Sequence, residues 1–370
     1  MKTLGEFDWG QRFLALIYLM IAGCLVGWLV SRGLPVPKTD DAFYKSPAAE
    51  WAQNGHLAIP ACRGLVPGAE RVFACYPPVY QLTLGSWYKL AGVSLTSTLL
   101  FSFLVHSWCG WLLVRVSQHI LAALRPSADT FAGWLPLSVG VLHLCNLAYF
   151  DRQEELAVTW VLCEFLWLGV QRQETVRCRQ WVMSGVWIGL AGLTSPLIGV
   201  AGALGIVLRG LFQFVERPVG ARRESTVARL WACSFPVFGA GLVALLLALT
   251  WICAMEYTVS GCISGQFVWL MQHLKETRRV DGWASSLQAA GQSLLFNPPQ
   301  LPAMLLGVSG WCLIGRRSSK VDGQLLPGLR AYGGAVLATL ALVAVVRPEA
   351  YTYWGGLGML ALPGLTLTMI

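Results

Sequence analysis

The feature that most limits what this chain can fold into is a succession of apolar runs close to the ~20 residues that a helix needs to cross a hydrocarbon layer. Backbone N–H and C=O groups surrounded by lipid must be satisfied within their own segment, so runs of this kind predict α-helices. Bounded by charge, Pro or Gly, they fall at 12–31, 94–114, 132–150, 156–170, 181–194, 196–214, 231–255, 299–315, 330–346 and 354–370. The fold expected is all-α: a polytopic transmembrane helix bundle of about ten spans. Composition agrees, since 12% of the 370 residues are charged, against roughly a quarter in a soluble domain, and the mean hydropathy is +0.57. The first run is longer than a signal-peptide core and no small-x-small cleavage site precedes the polar segment after it. It is therefore expected to stay as an anchor, with the N-terminus in the cytoplasm.

The stretch 181–214 is too long for one crossing and carries Thr194-Ser195-Pro196 at its centre. Proline removes a donor and turns the preceding residue away from helix, so two helices joined by a turn are expected there. Charge supports the hairpin. Basic clusters stand at Arg172, Arg177 and Arg179 before it, and at Arg209, Arg217, Arg222, Arg223 and Arg229 at its far end. Cytoplasmic loops are enriched in Lys and Arg, and only a hairpin places both clusters inside. The same parity puts Arg115, Arg125, Arg316, Arg317 and Lys320 inside and Lys45 and Lys275 outside. The net charge of +8 does not imply nucleic acid, because the bases sit in short clusters between apolar runs rather than along one polar face.

The chain has no internal repeat and is expected to form a single transmembrane domain over 1–370, with two long extracytoplasmic insertions at 32–93 and 256–298. The end of the first, 79–93, is apolar but interrupted by Gln81 and Lys89 and carries Trp87 and Tyr88. That mixture predicts a short helix lying in the membrane interface. Most of the 11 cysteines lie in apolar runs as small buried hydrophobes. Cys62 and Cys75 share the first outer loop, where an oxidising compartment predicts a disulfide between them.

The chemically loaded residues gather on the outer side. The first loop carries Asp40, Asp41, Tyr44 and Lys45, then Trp51, then Tyr76-Pro77-Pro78-Val79-Tyr80. After the third apolar run comes Asp151-Arg152-Gln153-Glu154-Glu155, leading directly into apolar sequence. Such charges are either loop and span-end anchors or a site, and two acidic clusters on one face favour a site. His106, His143 and Glu164 lie within apolar runs, where contact with a neighbouring helix is the commoner role.

In the order of these pieces the chain resembles the GT-C polytopic glycosyltransferases. The resemblance rests on the acidic pair Asp40-Asp41 opening a long outer loop and on the Tyr76-Pro-Pro-Val-Tyr80 approach to the next helix. It rests further on Arg152, Glu154, Leu156 and Ala157 at a span start, on the Gly-Leu-Ala-Gly-Leu-Thr stretch at 189–194, and on Arg347-Pro-Glu-Ala-Tyr351 before the last span. Ser195 stands where many relatives have lysine. The resemblance implies transfer of a sugar from a polyprenyl-phosphate donor to a lipid, glycan or protein acceptor. Asp41, or Asp40, would be the general base that takes the acceptor's proton. Arg152, then Arg347 and Lys45, would neutralise the leaving phosphate. Glu154 would orient Arg152, bind a sugar hydroxyl or, with Asp40, hold a divalent cation. Tyr44 and Tyr80 would stack on sugar.

The alternative is a transporter or lipid flippase, which needs polar groups along a path near the midplane. The absence of an Asn-x-Ser/Thr sequon leans toward a bacterial inner membrane, with the site facing the periplasm.

Overall fold

The computed structural model of the chain describes residues 9–32, 41–73, 75–124, 130–146, 152–169, 178–216, 300–313, 326–346 and 351–368. Between 216 and 300 it describes 234, 237–239, 241–251, 265–266, 268–272, 284–285, 288 and 291–292. All regular secondary structure among the described residues is helical. Asp40 and Arg347, with Asp151, Arg222, Lys275 and Arg316, lie outside the described residues.

The helices follow the apolar runs. α1 spans Trp9–Ser31, and the polar α2 spans Asp41–Asn54, closed by Gly55, whose φ of +80° suits a residue without Cβ. A loop containing a short 3₁₀ turn at Pro60–Cys62 leads to α3, Val79–Ala91, which covers the interfacial stretch expected from the sequence. Next come α4, Leu95–Leu124, α5, Thr130–Leu144, and α6, Gln153–Glu164, which continues as a π-helical turn over Phe165–Gly169. α4 runs well past the expected 94–114, because Arg115 finds Gln118 Oε1 at 3.1 Å within its own helix and need not begin a loop. α7, Cys178–Gly192, and α8, Pro196–Glu216, form the hairpin with its turn at the expected place. Pro196 takes the first helical position, where a missing N–H costs nothing. Gly192 and Gly199 let the two backbones nearly touch: a Cβ on Gly199 would sit 2.5 Å from Gly192 Cα. α9 is Gln300–Leu313, α10 Leu326–Val346 and α11 Tyr351–Ala361. A 3₁₀ turn at Leu362–Gly364 leads to α12, Leu365–Thr368.

One described helix, Leu95–Ala122, is both long and apolar enough to cross a membrane. Phe13–Leu29, Trp134–Leu144, Pro196–Phe212, Pro302–Leu313, Gly328–Ala344 and Gly356–Thr368 are shorter apolar helices. The main core lies where α4 and α6 meet α8 to α12, around Leu113, Leu162, Ile198, Trp311, Tyr332 and Leu357. A second cluster joins α2, α3, α4 and α6 through Ala48, Tyr80, Leu84, Tyr88, Phe101 and Leu156. A third fastens α1 to α4 and α5 through Tyr18, Val114 and Leu137. α6 is therefore central, and Leu156 near its start belongs to the cluster that holds α2 and α3.

Candidate functional site at the first turn of α6

Four consecutive polar residues, Arg152 to Glu155, are all buried at the start of α6, each no more than 5% exposed. Helix begins here because Arg152 keeps extended backbone (φ −111°, ψ 144°) while Glu154 and Glu155 place negative charge in the first turn, where the helix dipole favours it. Burying such groups is costly without partners, so their surroundings decide what they can do.

Successive residues of a helix point about 100° apart, so Glu154 and Glu155 meet different neighbours. Glu154 lies toward α8 and α11: a Cβ on Gly356 would fall 3.4 Å from Glu154 Cβ and 2.8 Å from Ile198 Cδ1, so this glycine leaves the room that Glu154 occupies. Glu155 turns to α4 and α5. Its Oε1 lies 2.5 Å from His106 Nδ1 and 2.9 Å from His143 Nε2. The second contact has the distance of an ion pair without the alignment of a hydrogen bond. His106 Nε2 stands 3.2 Å from the Leu144 carbonyl, and the two rings lie 4.4 Å apart, tilted by 35°.

Two aromatic residues of the 32–93 insertion join a cluster that includes Leu156, one residue beyond Glu155 on α6. Tyr44 of α2 and Tyr80 of α3 share a cluster with Leu156 of α6. Their rings meet edge to face at 6.4 Å, Tyr44 also meets Tyr76 at 4.9 Å, and Tyr80 meets Phe101 at 6.0 Å. Tyr80 is 2% exposed, so its ring is held by protein on several sides, whereas Tyr44 and Lys45 are half-buried. Asp41 opens α2, the helix that carries Tyr44. The Val79 N–H donates to the Leu193 carbonyl at 3.0 Å, which brings the α7–α8 turn to the same place. α2 and α3 lie close because Gly85 has no Cβ; one there would fall 2.6 Å from the Trp51 ring, and Lys89 Nζ sits 3.8 Å above that ring. The structure thus places Tyr44 and Tyr80 in one cluster with Leu156; Arg152 and Glu154 are buried just before it at the start of α6, and Asp41 opens the helix that carries Tyr44.

The expected Cys62–Cys75 disulfide is not formed; both thiols are free. The two residues do share a small core with Ile59, Val66, Ala69 and Phe73. Cys75 Sγ is turned instead to Gln266, 3.7 Å from Oε1, and burial first, then the neighbouring Cys62, pushes its thiol up to about 12. Gln266 comes from the 256–298 insertion and donates through Nε2 to the carbonyls of Pro67 (2.9 Å) and Val72 (2.5 Å). With Trp269 packed on the same cluster, the insertions at 32–93 and 256–298 share one hydrophobic centre.

Sequence reasoning gave His106 and His143 the role of helix contacts and did not join them to Glu155 of the Asp151–Glu155 cluster. The available signal was two histidines inside apolar runs, where an ionisable residue is costly. Their meeting point depends on how α4, α5 and α6 pack. Comparison with protein-family models, with curated proteins and with solved structures gives no match for this chain.

Proposed function

We propose that the chain is a multi-pass membrane glycosyltransferase of GT-C type, of about ten spans, acting at the extracytoplasmic face of a bacterial inner membrane. Its donor is a polyprenyl-phosphate sugar. One observation carries the reading: α2, which opens with Asp41, joins through Tyr44 the cluster that contains Leu156, beside buried Arg152 and Glu154. A base and a cation far apart in sequence are thus carried by elements that share one hydrophobic cluster, in keeping with transfer across a single anomeric carbon.

In this reaction Asp41 accepts the proton of the acceptor hydroxyl as its oxygen bonds to the anomeric carbon. The bond from that carbon to the phosphate oxygen breaks, and the electron pair leaves on the lipid phosphate. Arg152 lies opposite this developing charge, with Glu154 as its orienting carboxylate or a ligand for a sugar hydroxyl. Lys45 and Arg347 are further cations for the phosphate. Lipid as solvent is supported by the apolar side chains left uncovered on the helices, such as Phe13, Leu16, Leu19 and Met20 of α1 and Leu104 and Trp108 of α4. In water so many would form an aggregation surface.

A transport reading draws on one feature, the cleft lined by Glu164, Arg209 and Tyr332, where Glu164 accepts from Ser184 Oγ at 2.9 Å and Arg209 Nε and Nη1 lack hydrogen-bond partners. The two readings separate in a strain lacking the protein. Mass spectrometry of lipid-linked sugars should find the donor accumulated and a glycoconjugate lost, both restored by the wild-type chain and not by Asp41→Asn. Full restoration by a chain carrying Asp40→Asn and Asp41→Asn together would end the transferase mechanism.

A further inference from the structure

We infer that His106, His143 and Glu155 form a binding site for a divalent transition-metal ion of the zinc class, clamping α4, α5 and α6 together beneath the first turn of α6. The site stands apart from the transferase reading and would remain if that reading fell.

The argument begins with hydrogen-bonding capacity. A carbonyl only accepts, so the 3.2 Å contact of His106 Nε2 with Leu144 O places the ring hydrogen on Nε2. In the neutral ring Nδ1 then presents a lone pair, and at 2.5 Å it faces Glu155 Oε1, which presents lone pairs too. His143 Nε2 closes on the same oxygen from α5 at 2.9 Å. All three side chains are 1% exposed or less, so water does not separate them. A positive centre among the three atoms, a proton or a metal ion, relieves that repulsion. A single proton between His106 and Glu155 acts on that contact alone. It leaves His143 fully buried, with Nε2 2.9 Å from the same oxygen but out of line for a hydrogen bond. A metal ion satisfies both histidines and the carboxylate at once.

Geometry and donor type agree. The three ligand atoms lie within 4.8 Å of one another. Bonds of about 2.0–2.1 Å in a tetrahedron put ligand atoms roughly 3.4 Å apart, so loading requires the His106–Glu155 pair to open by about 1 Å, within the reach of side-chain rotation. Two imidazoles and one carboxylate suit zinc, cobalt or iron(II) rather than magnesium or calcium, which take oxygen. The Leu144 carbonyl on the far nitrogen of His106 is the outer partner that a metal-bound histidine ordinarily has, fixing its tautomer. Tyr18 closes the site from α1: its hydroxyl donates to the Ser107 carbonyl at 2.8 Å, and Gly110 leaves the space that Tyr18 and His143 fill.

The test uses the full-length chain purified in detergent, incubated with Zn²⁺ or Co²⁺, desalted, and measured by plasma mass spectrometry. The expected result is about one ion per chain, a visible Co²⁺ ligand-field band, and a chelator-induced fall in melting temperature. His143→Gln and Glu155→Gln, which keep side-chain bulk, should retain less than about a tenth of an ion, while His119→Gln, elsewhere on α4, should bind as wild type. A wild-type chain that holds less than about a tenth of an ion, or equal metal in wild type and His143→Gln, would leave a proton-bridged cluster and overturn the site. Should the variants not fold, the wild-type stoichiometry and cobalt band decide by themselves, a featureless spectrum refuting the proposal.

Discussion

Glu154 and Glu155 are neighbours in the chain and both are buried, yet they belong to different halves of the molecule. Glu154 lies beside Gly356 and Ile198, on the side where α8 and α11 approach. Glu155 lies between two histidines of α4 and α5. One residue of helical rotation separates a carboxylate at the edge of the proposed reaction site from one that closes a buried cluster. Burial alone therefore does not tell a working carboxylate from a structural one; the partners do. A buried charge already shared by two ring nitrogens has little capacity left for a substrate, whereas one beside an arginine at the helix start can still orient it.

This contrast can be broken or sharpened by experiment, beginning with the largest effect. Asp41→Asn keeps the shape of the first turn of α2 and cannot take a proton, so turnover in proteoliposomes should fall by ~10²–10⁴-fold with an unchanged elution profile. Unchanged turnover would detach α2 from the chemistry. Glu155→Ala should act on stability instead, lowering it by about 3–5 kcal/mol, because two buried histidines lose the carboxylate at their common point. Thermal unfolding in detergent reads this, and a melting temperature equal to wild type would erase the distinction between the two faces of α6. Glu154→Gln should do the reverse: roughly tenfold slower turnover, from the loss of a charge-assisted hydrogen bond, with a melting temperature within a few degrees of wild type. The double variant His143→Ala with Glu155→Ala should show a coupling of about 0.5–3 kcal/mol relative to the single changes, while Glu154 paired with His143 should be additive within about 0.5 kcal/mol.

The smallest effect concerns the outer loops. A thiol pushed up to about 12 stays protonated until the pH approaches that value, and Cys75 is also buried. Maleimide at pH 8 should therefore modify the more exposed Cys62 first and reach Cys75 only on unfolding. Protection of both thiols that disappears with reductant would instead restore the disulfide.

Much of the architecture could be read directly from the residues. The apolar runs marked the helices, Thr194-Ser195-Pro196 marked the turn between α7 and α8, and the mixed composition of 79–93 marked α3, since local periodicity and proline act within a few residues. A site formed by Tyr44, Tyr80 and Arg152 was expected only from the order of motifs; the structure puts the two tyrosines in one cluster with Leu156 of α6. The pairing of Cys62 with Cys75 was misjudged because compartment and spacing say nothing of where a thiol points, and Gln266, from a distant loop, is the neighbour Cys75 faces.

What the sequence by itself determined was where most of the helices form and where α7 gives way to α8, because hydrophobic length and proline are local properties of the chain; it did not determine where α4 stops. The tertiary structure alone decided that His106, His143 and Glu155 share one point and that Glu154 does not. That outcome depends on the rotation of α6 and on the contact faces of α4 and α5, set by the packing of their whole surfaces, and no short stretch of residues encodes it.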